Sequence, residues 1–217
     1  MLTKIRRWIL FSVVFGGGLL ALSGEWTSVL LWTYLVGVSA VFFYALISLD
    51  PELAKERFHP PTRGADGPML RWVRGTAVAT LLIAPLDRRF HWSAPMPDAL
   101  RIAAIIGSLA AFLFVFRAML TNRFFSAVIR IQDERGHQVV DRGPYAVIRH
   151  PGYAGMIAGV PLMPIALGSW WGFGVAILYA LLIANRVVVE DRFLQANLPG
   201  YLEYTARVKS RLLPGIW

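Results

Sequence analysis

The 217-residue chain contains no cysteine. Disulfides, thiolate metal ligands and a cysteine nucleophile are therefore excluded. Charge is also scarce: Asp, Glu, Lys and Arg make up 16% of the residues, against about 25% in a soluble domain. Acidic residues are the rarer sign, 13 against 22 basic ones, for a formal charge of +9. There is no Ser-His-Asp pattern, no phosphate-binding P-loop and no GxGxxG fingerprint, and no internal repeat or low-complexity stretch stands out. What is abundant is apolar: 56% of the chain is hydrophobic and the mean hydropathy is +0.53. These numbers describe an all-α, polytopic integral membrane protein whose apolar surface faces lipid. The positive charge fits loops that meet anionic lipid on the cytoplasmic side, so no nucleic-acid partner is expected.

The apolar runs set the organisation. Residues 8–24 and 26–49 are uncharged and separated only by Glu25, which predicts a tight helical hairpin. The N-terminus resembles a signal peptide but lacks a clear small-residue cleavage site, so it reads as a retained first span. A Pro- and Gly-rich polar loop follows over 50–68. The uncharged run 75–86 is too short to span alone, but a third segment from about Met69 to Arg89 is long enough if Arg71 and Arg74 snorkel at its start, and a fourth over 102–116 behaves similarly between Arg101 and Arg117. After a polar segment, 121–150, the run 151–185 is uncharged, punctuated by Pro161, Pro164 and Gly168. It is long enough for two spans and predicts a hairpin turning at Gly168-Ser169. The tail, 191–217, mixes aromatics with Arg and Lys and reads as interfacial. Six segments result, four over residues 1–120 and a C-terminal helical hairpin within 121–217. Most Lys and Arg lie at the N-terminus, in 50–74, in 117–149 and at the C-terminal end, which predicts that both termini and these polar stretches are cytoplasmic. A short chain with few targeting features suggests a bacterial inner membrane.

Two constellations could carry chemistry. In "HQVVDRGPYAVIRHPGY", residues 137–153, Gly143-Pro144 marks a turn and Pro151 favours a helix start. His150 then sits near a helix N-cap, where free backbone N–H groups suit a carboxylate. Tyr145, Arg149, His150 and Tyr153 crowd around that end. Singly, each is explained by interfacial anchoring; together, at this spacing, they indicate a site. In "NRVVVEDRF", Arg186 and Glu190 share a helix face one turn apart. They are either a helix-end ion pair or a charged pair facing the bundle interior, where ionisable groups are usually functional. Asp133, Glu134 and Asp141 have no metal-ligand spacing. His59 lies in a Pro-rich loop and His91 on the opposite face from the candidate site, Ser126 and Ser169 have no evident partners, and the tryptophans at 8, 26, 72, 92, 170 and 171 read mostly as interface anchors.

Taken together, "HQVVDRGPYAVIRHPGY", the R-x-x-x-E of Arg186 and Glu190, and the C-terminal "PGYLEYTARVKSRLLPGIW" resemble the isoprenylcysteine carboxyl methyltransferase family and, more broadly, the membrane phospholipid methyltransferases. The resemblance covers roughly residues 120–217. It implies S-adenosyl-L-methionine as cofactor, with contacts from Gln132, His137, Gln138, Val139, Val140, Tyr145, Arg149, His150, Pro151, Gly152, Tyr153 and Glu190. It implies that Arg186 faces the methyl acceptor and that Arg186 and Glu190 are the catalytic pair. Asp191 stands where the family usually has Glu. The expected acceptor is a lipophilic small molecule or lipid, with a carboxylate of an isoprenoid or prenylated compound favoured; no obligate protein partner is evident. The competing classes are a phospholipid amine N-methyltransferase and a non-catalytic transport or scaffold protein.

Overall fold

The computed structural model describes residues 1–60 and 64–217. Part of the predicted 50–68 loop, residues 61–63, lies outside the described residues. Eight helices are labelled here in chain order: α1 (Leu2–Ser23), α2 (Val29–Ser48), α3 (Pro51–Phe58), α4 (Gly67–Phe90), α5 (Asp98–Thr121), α6 (Pro151–Leu167), α7 (Trp170–Asn197) and α8 (Tyr201–Arg207). No strand occurs among the described residues. Five of these helices (α1, α2, α4, α5 and α7) are long and apolar enough to cross a membrane, and α6 is a shorter apolar helix.

The hairpins follow from local chemistry. Gly24, in the left-handed region at φ 71°, ends α1, and the Ser28 hydroxyl accepts the Leu31 N–H to start α2. The turn between α6 and α7 falls on Gly168-Ser169 as expected. Gly168 takes φ 83°, and the Ser169 hydroxyl caps α7 by accepting the Gly172 N–H at 2.8 Å. Pro161 and Pro164 remain inside α6. Helices α5 and α6 approach closely through Gly155 and Gly159, spaced as a G-x-x-x-G pair. A Cβ on Gly155 would meet Val115 at 2.6 Å and the Ala111 carbonyl at 2.9 Å.

Three expectations change. The 50–68 stretch is not all loop: Asp50 accepts the Glu52 and Leu53 N–H groups and Pro51 fills the first helical position, so α3 forms. The fourth segment is longer than 102–116: α5 has 24 residues and takes Arg101, buried, into its first turn, whereas α4 lies close to the expected 69–89, with Arg71 and Arg74 exposed near its start. The tail is not simply interfacial. No helix breaker occurs until Pro199-Gly200, so α7 continues through 191–197. Beyond it Leu198, Tyr201, Tyr204 and Val208 are buried against Ile131, Val139 and Leu194, folding the tail over the polar segment.

Candidate functional site

The polar segment, the first half of α4, the start of α6 and α7 from Tyr179 onward surround one open cavity of about 280 Å³. His137, Gln138, Val139 and Val140 line it from the loop after the turn at Asp133–Arg135, and Tyr145 lines it from the turn at Gly143–Ala146. Arg149, His150, Gly152 and Tyr153 line it from the head of α6, and Arg186 and Glu190 from α7. Residues about 50 apart in sequence thus share one space.

Two of the residues singled out from sequence do not line this cavity. Gln132 is fully buried; its amide donates to the Phe124 carbonyl at 2.7 Å and accepts from Arg135 at 2.6 Å. Its backbone N–H donates to His137 Nδ1 at 3.3 Å, which leaves the His137 proton on Nε2 in the neutral ring. Burial, with Arg130 nearby, pulls the His137 pKa down to about 4, so the ring is neutral at physiological pH. Pro151 is buried as the first residue of α6. It contributes by having no N–H to satisfy, while the N–H groups of Gly152 and Tyr153 lie in the unpaired first turn.

The charged groups are arranged differently from the i,i+4 expectation. Arg186 and Glu190 do not pair with each other among the described residues. The Arg186 guanidinium lies 2.7 Å from Asp66 and donates to the Ala127 carbonyl at 2.7 Å, over the Tyr153 ring. Glu190 accepts from the Tyr153 hydroxyl at 2.5 Å. The cause is tertiary. Asp66, just before α4, also accepts the Ile129 N–H and ties the 127–129 backbone beside α7, giving Arg186 a buried carboxylate that the helix alone does not provide. Arg186 is 5% exposed, and its Nε has no hydrogen-bond partner among the described residues. A buried guanidinium N–H left unpaired at a cavity wall is costly unless a ligand completes it.

Arg149 lines the cavity, but its donors are committed. It makes a two-pronged bond to Asp191 at 2.8 and 2.9 Å and donates to the Val208 and Lys209 carbonyls. Asp191 is fully buried and also meets His150 Nε2 at 3.1 Å, Arg211 at 2.9 Å and the Tyr201 hydroxyl at 3.1 Å. The backbone N–H groups of Arg149 and His150 donate to Ser210 and Arg211. Asp191 therefore locks the head of α6, α7 and the C-terminal tail together and fixes the His150 ring. Burial raises the pKa of both Tyr145 and Tyr201, keeping their hydroxyls as donors.

Residues 101–196 match the model of the isoprenylcysteine carboxyl methyltransferase family. The matched stretch is somewhat less than half of the chain. Over 91 residues the chain is 30% identical to protein-S-isoprenylcysteine O-methyltransferase B of Arabidopsis thaliana, a stretch covering 41% of this chain and 46% of that protein. The chain thus aligns with about half the length of this curated relative.

The matched region contains Arg186, Glu190 and the His137–Tyr153 stretch, but other groups at the cavity lie outside it. Arg57 precedes it and Tyr201 follows it; Asp66, which also precedes it, holds the lining residue Arg186. In the sequence, Asp66 reads as a turn residue in "GADGP", Arg57 as one charge among many in a polar stretch, and Tyr201 as an interfacial aromatic. Local pattern carries no signal that would assign them to the cavity.

Proposed function

We propose that this chain is an integral membrane methyltransferase that uses S-adenosyl-L-methionine and methylates a carboxylate on a lipophilic acceptor, an isoprenoid or prenylated compound. The observation that carries this reading is the buried Arg186, with one N–H unpaired, in the same cavity as the His137–Val140 loop and the open first turn of α6.

The residues present fit the cofactor. The unpaired N–H groups of Gly152 and Tyr153 at the head of α6 suit its carboxylate. Glu190, with Tyr153 on one oxygen, keeps its other oxygen for an ammonium or hydroxyl donor. The His137–Val140 backbone and the Tyr145 ring offer polar and flat surfaces to the nucleoside. When bound, the cofactor supplies the electrophilic methyl group and a neutral thioether leaving group. The protein then has to align and to hold charge. Arg186 holds an anionic oxygen of the acceptor by a charge-assisted hydrogen bond.

A carboxylate acceptor, with a pKa of about 4, is already ionised at neutral pH and needs no base. An amine acceptor must lose a proton first. Glu190, the carboxylate that lines this cavity, is engaged by Tyr153, Asp66 sits behind the wall against Arg186, and His137 Nδ1 is occupied. That supports the acid over the amine. A second cavity of about 260 Å³, walled entirely by apolar atoms from α1, α2, α4, α5 and α6, shares Ala77 of α4 with the first. It suits a hydrocarbon tail. The Lys and Arg bias puts this end of the bundle and both termini on the cytoplasmic side, as in a bacterial inner membrane.

The test is calorimetric titration of detergent-solubilised protein with S-adenosylhomocysteine, followed by incubation with membrane lipid extract and the methyl-labelled cofactor. Binding, with label released by mild base as expected for a methyl ester, is the expected result. Label in an amine head group would overturn the acceptor class, and no binding at millimolar ligand would overturn the cofactor.

A further inference from the structure

The cavity holds more positive charge at its Arg186 end than its acidic groups offset. Arg57 of α3 and Arg74 of α4 line it together with Arg186. Arg186 has Asp66; among the described residues neither Arg57 nor Arg74 forms an ion pair. Arg74 is exposed at the rim, whereas Arg57 is half-buried, with its guanidinium 5.6 Å from the Phe125 ring centroid. Burial, with Arg186 and Arg74 nearby, lowers the Arg57 pKa, and Tyr153 and Tyr179 are its other electrostatic neighbours. Arg57 therefore belongs to the acceptor end of the cavity, not to the His137 end.

Its placement is built in. The adjacent Glu56 is 4% exposed and is held by Arg130, at 2.7 Å and 3.1 Å, and by the Ser126 hydroxyl at 2.6 Å. This bond set fastens α3, a helix of the membrane-facing N-terminal half, to the polar segment. With Glu56 turned to that anchor, its neighbour Arg57 is delivered to the cavity wall. A half-buried cation beside two others is electrostatically unfavourable until an anion enters.

We infer that Arg57 is a specificity-determining residue that, with Arg186, holds the acceptor carboxylate between two guanidinium groups, and that it discriminates anionic acceptors from neutral or cationic ones. An ammonium head group would meet three positive charges there. The inference rests on the reading that the cavity receives a carboxylate acceptor.

The experiment compares equilibrium binding of an N-acetyl-S-prenyl-cysteine and its carboxamide to the full-length protein in detergent, loaded with S-adenosylhomocysteine. The proteins are wild type, Arg57→Gln and Arg57→Lys. Wild type is expected to prefer the carboxylate. Arg57→Gln should weaken the carboxylate by about 10-fold or more, the effect of losing one charge-assisted hydrogen bond, and leave the carboxamide within about 2-fold. Arg57→Lys should restore part of the preference. S-adenosylhomocysteine affinity, measured separately, should be the same in all three, which shows that each variant is folded. Equal effects on both ligands, no effect on either, or no binding of either ligand to wild type would each overturn the role of Arg57. Retained S-adenosylhomocysteine binding in those cases would leave the cofactor assignment standing.

Discussion

Helices α4 and α7 run antiparallel and carry buried charge at both ends of their contact, roughly 30 Å apart for about 20 helical residues. At one end Asp87, 1% exposed, accepts from the Ser93 N–H and hydroxyl, the Ser169 hydroxyl and the Trp171 N–H. Arg88 pairs with Glu25, and Arg101 with Asp98. At the other end Asp66 meets Arg186, and Glu190 holds Tyr153, around an open cavity. Both ends bury carboxylates. The difference lies in what is left over. The Asp87 network closes on itself and serves the turns that link the helices. The Asp66–Arg186 end leaves an N–H unpaired in a space a ligand can enter. An orphan atom alone does not make the distinction, since Arg101 Nη2 is also unpartnered; orphan and cavity together do.

This contrast can be broken by substitution. The largest effect is expected at Asp191→Ala, which leaves Arg149, Arg211 and His150 without their shared carboxylate. Removing one partner of a buried charge cluster costs about 3–5 kcal/mol. Thermal unfolding in detergent should show that loss, together with loss of S-adenosylhomocysteine affinity. An unchanged melting midpoint would mean that the tail is not locked by Asp191. Next, Arg186→Ala should lower turnover about 100-fold or more, as for a donor aimed at the reacting group, while S-adenosylhomocysteine affinity stays within a few-fold. Normal turnover with both substrates limiting would remove Arg186 from the chemistry. Asp87→Asn, at the closed end, should cost about 1–3 kcal/mol of stability through unmatched hydrogen bonds and leave kcat and KM unchanged. A kinetic defect there would erase the distinction between the two ends.

The smallest effect concerns pH. The His137 pKa is depressed from 6.5 to about 4 in the fold, so the unfolded chain binds the proton first as pH falls. Its contribution to stability is complete above about pH 6.5 and is lost progressively as the pH drops toward 4. His137→Gln should flatten that part of the stability profile. A wild-type profile that does not change over this interval would place His137 in a more solvated setting than its burial and its bond from Gln132 indicate.

The spans were legible because their signals are local and strong. Glu25 between two charge-free runs and the Gly168-Ser169 turn mark the helices without reference to any other part of the chain. The head of α6 was legible for the same reason, since Pro151 after His150 fixes a helix start. Helix α3 was obscured because a Pro- and charge-rich composition outweighed the short Asp50-Pro51 start signal. The partner of Arg186 was not legible, because i,i+4 spacing states which side chains can meet on one helix, not which carboxylate another segment brings closer.

By itself the sequence determined a polytopic helical membrane protein, its C-terminal hairpin, and which stretches of the C-terminal half bear polar groups. Helix periodicity, turn chemistry and the cost of charge in lipid act over a few residues, so they can be read along the chain. Only the tertiary structure decided that Asp66 rather than Glu190 holds Arg186, that Asp191 is the clasp of the tail, and that Arg57 of α3 stands at the cavity. These are contacts between residues 10 to about 120 positions apart, set by how the helices and the tail pack, and no helix or turn periodicity encodes them.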